Sequence, residues 1–383
     1  MTLRIVMAVL ALHGLTGQAL WAQTAAVKAR VHDHGPNSYV AGPGAPAHVV
    51  GLTRVIHDIT LNTGAVAYGL RYVISEDPKD PAAAIPGEGY IGMCKPVDSN
   101  WYGGGFFDLK LNGQTVGTRR ATVFAGQSSG ERAYVDYVFD TPQAVVRVRF
   151  VGLPGGDCLF AQVLLEPRVE ITEVSVGLRC YPAGYITGPT RRALTAAREL
   201  STGKRESLDP GGDWWLNYSD SGRGEGGCSA MWLPGQTQEA VVNVGSYSID
   251  TSLKLDPALR DFRFVFFDHT GRNDAQVQAD LKARAAGLRE ELTTFVFADS
   301  AVLDWSLAEK QAAVRELLAA LPGDAQLAAR YDQWSRDLEE QLGKVRSGET
   351  EGGIMAEAAA LKTITEWDRS LPELRLLALI GTL

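Results

Sequence analysis

The 383-residue chain has no apolar run near the ~20 residues a membrane span requires; residues 5–12 come closest near the start, and Gly14 and Gly17 interrupt the chain just beyond them. Basic clusters are missing too. None exceeds two adjacent residues, as at Arg119-Arg120 and Arg191-Arg192, and the net charge is −8. Both facts argue against a nucleic-acid partner. Cysteine is scarce: Cys94, Cys158, Cys180 and Cys228 allow at most two disulfides, in three connectivities. Histidine offers one suggestive pair, His32 and His34 on one side of a strand around Asp33. A metal site needs three or four convergent ligands, so two solvated imidazoles are expected, with no metal and no cofactor.

Residues 1–22 have the form of an export signal. Arg4 is the positive start, 5–12 the apolar segment, and Ala22 could precede the cut. Cleavage removes Arg4 and no acid, taking the net charge from −8 to −9. The expected location is periplasmic or secreted, without a transmembrane segment once the signal is gone, and in a compartment where disulfides persist.

The clearest structure lies in 133–182. Val146, Val148 and Phe150 alternate with Arg147 and Arg149; Val174, Val176, Leu178 and Cys180 alternate with Glu173, Ser175, Gly177 and Arg179. Residues 134–139 precede these segments, and 159–165 between them are apolar on both faces. Period-two alternation marks antiparallel strands with one buried face. Further strands are expected at 27–32, 49–59, 65–75, 106–111, 228–233, 239–249 and 262–267. Asn112-Gly113 suits a type I′ hairpin turn. Residues 191–198 read as a helix or a long connection. If 159–165 and 171–179 form a hairpin, Cys158 and Cys180 fall opposite each other and can bridge; free buried thiols are the alternative.

After 270 the period becomes 3.6. Val277, Leu281, Ala285, Leu288 and Leu292 form one stripe, with Asn273 and Gln276 placed as a capping box. Helices follow at 306–321, opened by Ser306 and Glu309, at 324–342 and at 354–367, with an apolar tail at 374–380. The reading is therefore mainly β: a signal at 1–22, a large antiparallel β-sandwich at 23–270, and a C-terminal helical hairpin or bundle at 271–383.

This architecture resembles the galactose-mutarotase-like supersandwich of secreted carbohydrate-active proteins, over about 45–270, in strand count, strand order and long aromatic loops. In some glycoside hydrolases and phosphorylases such a sandwich precedes linker helices and a catalytic helical barrel. Here linker-like helices are present without the barrel, so no catalytic residue is carried over.

Two loops hold the candidate site. In the stretch 213–225, Asp213, Trp214, Trp215, Tyr218, Asp220 and Arg223 combine flat rings with hydroxyl-binding groups; Trp101 and Tyr102 precede three glycines in the other. Rings that stack on sugar faces, beside carboxylates that accept from hydroxyls, suit carbohydrate. If the chain is an enzyme (a glycoside hydrolase, lyase or epimerase), Asp220, Glu225 and His269 are the acid-base candidates, with no located nucleophile. Asn217-Tyr218-Ser219 matches a glycosylation acceptor. The leading expectation is an exported carbohydrate-binding or carbohydrate-processing accessory protein. The alternatives are that enzyme, or a structural module of the cell envelope whose helical C-terminus meets a protein partner.

Overall fold

The computed structural model describes residues 28–45, 47–77, 79–80, 90–94, 106–182, 184, 187–222, 227–269, 271–321, 324–347 and 352–381. The signal-like segment 1–22 lies outside them. In chain order the strands are β1 (Arg30–Val40), β2 (Thr53–Asn62), β3 (Ala67–Glu76), β4 (Tyr90–Cys94), β5 (Phe107–Leu111), β6 (Gln114–Thr115), β7 (Ala121–Ser129), β8 (Arg132–Asp140), β9 (Ala144–Gly152) and β10 (Cys158–Pro167). Then come β11 (Val174–Cys180), β12 (Arg191–Leu194), β13 (Glu199–Ser201), β14 (Arg205–Leu208), β15 (Trp215–Asp220), β16 (Cys228–Trp232), β17 (Thr237–Val244), β18 (Ile249–Leu255) and β19 (Asp261–Asp268).

They form two antiparallel sheets. The first runs β1-β2-β3-β4-β5-β11-β18-β17-β14, with β6 on β5; the second runs β13-β12-β15-β16-β19-β10-β9-β8-β7. The alternating apolar residues meet between them. Val146, Val148 and Phe150 from β9 join Val174, Val176 and Leu178 from β11 in one buried core. Phenylalanines interlock there edge to face, Phe106 with Phe266 at 5.1 Å and Phe107 with Phe264 at 5.6 Å. Burying each such ring contributes roughly 1.5–3 kcal/mol. Asn112 and Gly113 have φ of 47° and 77° and close the β5–β6 hairpin, as their sequence predicts.

Several expectations are corrected. Residues 191–198 are not helical: β12 pairs with β13 and β15, and Thr195 and Arg198 make the turn. The segment is too short for helix propensity to outweigh strand pairing. The expected strand 239–249 is split by a turn at 245–248. The hairpin of 159–165 with 171–179 does not form, because β10 pairs with β9 and β19 while β11 pairs with β5 and β18. The proposed Cys158–Cys180 bridge goes with it. Cys180 points into the space between the sheets and Cys158 to the outside of the second sheet, and both are free thiols, as is Cys228.

The helices are α1 (Asp274–Thr294), α2 (Ser300–Leu303), α3 (Leu307–Ala319), α4 (Ala325–Ser347) and α5 (Gly353–Gly381). Asn273 and Gln276 make the reciprocal capping box, and the five stripe residues of α1 are all buried. That stripe packs with Trp215, Met231, Val265, Phe267 and Phe160 on the outer face of the second sheet. The tail 374–380 is not a separate element but the continuation of α5 past Pro372.

Arg147 and Arg149, on the outer face of β9, are buried beneath these helices. Arg149 grips Asp136 with two bonds of 2.6 Å and reaches Glu357 of α5 at 2.9 Å; Arg147 pairs with the other oxygen of Glu357 and with Gln162 at 2.8 Å. Burial pushes the Glu357 carboxyl up, but the two guanidiniums outweigh it and hold it down at about 2. No helix among the described residues is long and apolar enough to cross a membrane.

Candidate functional site

The stretch expected to form an aromatic loop is instead largely strand. Because β15 is flanked by β12 and β16, its side chains alternate between two covered faces. Leu216 and Tyr218 enter the inter-sheet core, where the Tyr218 hydroxyl shares a 2.8 Å hydrogen bond with Thr251. Trp215 goes the other way, beneath α1, and is 2% exposed. Neither ring can be offered to a sugar, and the expectation is corrected for both. Asn217 is fully buried, so the acceptor pattern is unusable in the folded chain.

Asp213 anchors a turn. It accepts from Arg198 at 2.6 Å and from the Asp209 amide at 3.2 Å. Burial raises its carboxyl, but hydrogen bonds from Thr195 and Arg198 bring it below the ordinary range. Trp214 is half-buried, with the Arg289 guanidinium 5.3 Å from its ring centre. Arg289 also lines a groove of about 770 Å3 with Gln236, Asp261, Arg263 and Glu290. Asp220 lies at the opposite end of β15, buried, accepting from Thr190 at 2.6 Å and the Gly222 amide at 2.9 Å. Trp101, Tyr102, Arg223 and Glu225 lie outside the described residues.

His269 is sealed. It is 2% exposed, stacks on Phe267, and shares a 2.8 Å hydrogen bond with Ser229, itself fully buried. Burial first, then the nearby Arg272 charge, pushes its imidazole down to about 4. A base with no open approach does no acid-base chemistry on a polymer, so the catalytic expectation for Asp220 and His269 has no geometric support. The chain does contain a Gly-x-Ser-x-Gly pattern, Gly126-Gln127-Ser128-Ser129-Gly130. It lies in the β7–β8 hairpin, where Ser128 accepts from the Val31 amide, rather than at a strand-to-helix elbow. His34 bonds Thr60 at 2.9 Å on the exposed edge strand, and no group of three metal-ligating residues occurs among the described residues.

Among the described residues, the outer face of the first sheet carries partly exposed polar side chains. Across β5, β11 and β18 it carries Asp108 and Lys110, then Ser175, Gly177 and Arg179, then Asp250, Ser252 and Lys254. Gly177 and Ser252 lie side by side and leave a low centre; Asp108 leans over it, 3.5 Å from where a Gly177 Cβ would stand. At one end of this face two rings meet. Tyr247, 46% exposed, stands edge-on to the buried Tyr181 with centroids 5.2 Å apart. Beside them Arg179 donates to Asp250, and Ser248 donates to its second oxygen at 2.8 Å. Burial raises the Tyr181 phenol, partly offset by Arg179. The Arg179 amide bonds the Phe106 carbonyl at 3.1 Å.

Sequence reasoning missed this corner. Reading 239–249 as one strand hid Tyr247 inside it. The signal was present in Gly245-Ser246-Tyr247-Ser248, a turn composition between two alternating segments.

No family model matches the sequence, and no curated protein matches it. Solved structures similar to this chain include a protein described as an aldose 1-epimerase from Klebsiella pneumoniae, at 8% identity and a TM-score of 0.37, covering 69% of this chain and 93% of that one. An α-N-acetylgalactosaminidase from Bifidobacterium bifidum is 11% identical, with a TM-score of 0.40 and coverage of 67% and 42%. A GH36 α-galactosidase from Geobacillus stearothermophilus is 11% identical, with a TM-score of 0.32 and coverage of 56% and 40%. The chain thus spans less than half the length of those two glycosidases. These neighbours are carbohydrate-active proteins, the class to which the sequence resemblance pointed. At such scores and identities the likeness carries no argument about this chain's fold, ligand or reaction.

Proposed function

We propose that this chain is an exported carbohydrate-binding protein that takes saccharide on the outer face of its first sheet, at the Tyr181–Tyr247 corner. The carrying observation is the exposed Tyr247 ring, held edge-on by Tyr181 and flanked by a carboxylate that Arg179 and Ser248 already orient. A sugar C–H face can lie on such a ring while its hydroxyls donate to Asp250 and accept from Arg179; charge-assisted bonds of this kind are the stronger ones. Asn243 faces Asp250 across β17 and β18 and adds an amide to the same patch. Export rests on the composition of residues 1–22. The experiment is calorimetric titration of the protein with a panel of soluble plant and algal glycans. Binding that falls about tenfold or more in Tyr247→Ala and survives in Tyr247→Phe supports the reading. An absence of glycan binding, or binding untouched by Tyr247→Ala, sinks it.

A further inference from the structure

The registers of the first sheet fix which side chains stand in line beside the Tyr181–Tyr247 corner. Arg205 of β14 faces Asn243 of β17, Asn243 faces Asp250 of β18, and Asp250 faces Arg179 of β11. Adjacent strands lie about 4.8 Å apart, so this row spans roughly 15 Å. Lys204 precedes it in a turn held against the strand that carries Asn243. Its carbonyl accepts from the Val244 amide at 2.8 Å, and the Val244 carbonyl accepts from the Gly203 amide at 2.7 Å. Lys204, Arg205 and Asn243 are all exposed.

Charge along the row is uneven. At one end Arg179 is paired with Asp250, and Ser248 donates to the second oxygen of that carboxylate. At the other end the Arg205 guanidinium and the Lys204 ammonium make no ion pair among the described residues; the adjacent Glu206 is taken by Arg198 at 3.3 Å. The buried Arg191 lies near both tyrosines and near Asp220, whose charge offsets its own. Among the described residues, Lys204 and Arg205 therefore leave this corner positive, in a chain of net charge −8.

We propose that the saccharide taken at this corner is anionic, an oligosaccharide whose carboxylate or sulfate groups meet Arg205 and Lys204. The inference rests on the preceding reading and deepens it. A neutral sugar can engage Tyr247, Asp250 and Arg179, but it brings no counter-charge to the other end of the row. A guanidinium presents paired N–H donors that match two oxygens of a carboxylate or sulfate, and such charge-assisted bonds are about twice as strong as neutral ones. Asp250 sets the orientation. Its carboxylate disfavours a second anion beside it, so the acid group lies toward β14 and a hydroxyl toward β18. Two strand spacings, about 10 Å, separate those positions, which calls for linked sugars rather than a single one.

The test is calorimetric titration of the full chain with trigalacturonate and its fully methyl-esterified form, with a sulfated galactan oligosaccharide and its desulfated form, and with polyglutamate. At least one anionic saccharide is expected to bind about tenfold or more tightly than its uncharged counterpart, and the arm that does so tells carboxylate from sulfate. That advantage is expected to vanish in the double variant Lys204→Gln/Arg205→Gln. Both replaced side chains are exposed, so the variant folds; circular dichroism checks this. Uncharged forms that bind as tightly as charged ones overturn the inference and leave the Tyr247 corner standing, as does an advantage that the double variant retains. Polyglutamate binding as tightly as the anionic saccharides also overturns it. No binding of any saccharide overturns both readings.

Discussion

Glu357→Gln removes one negative charge from the buried junction of α5 with the second sheet and keeps the side chain's shape. Arg149 would retain its two bonds to Asp136, but Arg147 would keep only Gln162. Removing one partner of a buried pair costs roughly 3–5 kcal/mol, because the charge left behind has neither water nor counterion. The carboxyl's titration gives a second route to the size. A group held at about 2 instead of the ordinary 4.5 contributes roughly 3 kcal/mol, fully present above pH 4.5 and lost as pH falls toward 2. Urea unfolding followed by circular dichroism, at pH 7 and then in steps from pH 5 to 2, reads both quantities. The variant is expected to unfold more easily by several kcal/mol at pH 7, and the gap to close as acid neutralises Glu357 in the parent. A deficit under ~1 kcal/mol at neutral pH, or two curves that stay parallel through the acid range, would refute the reasoning.

Two further outcomes rest on buried groups. His269 is held at about 4 rather than 6.5 by burial, so its contribution of roughly 3 kcal/mol is present above pH 6.5 and lost as pH falls through 4; His269→Gln should flatten the parent's stability loss between pH 6.5 and 4, and an unaltered slope would count against it. Cys158, pushed up to about 12 chiefly by burial, and the buried Cys180 and Cys228 should escape iodoacetamide in the native protein and react once urea unfolds it, as peptide mass spectrometry would read; recovery of a Cys158–Cys180 linked peptide would contradict the strand pairing.

The features legible in the sequence are those whose causes are local. Asn273 and Gln276 cap α1 because they lie three residues apart, and the α1 stripe repeats within one helix. Asn112-Gly113 makes its turn through its own backbone freedom. Alternation in β9 correctly separated Val146, Val148 and Phe150 from Arg147 and Arg149. It could not say that the arginine side is also buried, because the carboxylate covering it comes from a helix 208 and 210 residues further along. Trp215 and Tyr218 were misjudged for the same reason. A short aromatic segment among glycines reads as a loop until strands 191–194 and 228–232 are known to close over its two edges.

The outer positions of the strands nevertheless discriminate between the two sheets. On the second sheet they include Trp215, Met231, Phe160, Val265 and Phe267, so strands such as β10 and β19 are apolar on both faces. Such a sheet cannot be left in water, and an amphipathic α1 supplies the cover. On the first sheet the corresponding positions of β5, β11 and β18 are Asp108, Lys110, Ser175, Gly177, Arg179, Asp250, Ser252 and Lys254. Nothing there requires a helix, and the small central residues would pack poorly against one. The helical region is therefore assigned to one side of the sandwich by strand composition alone. On the proposed reading the saccharide meets the other side, where among the described residues Tyr247, 46% exposed, stands at the end of that polar face.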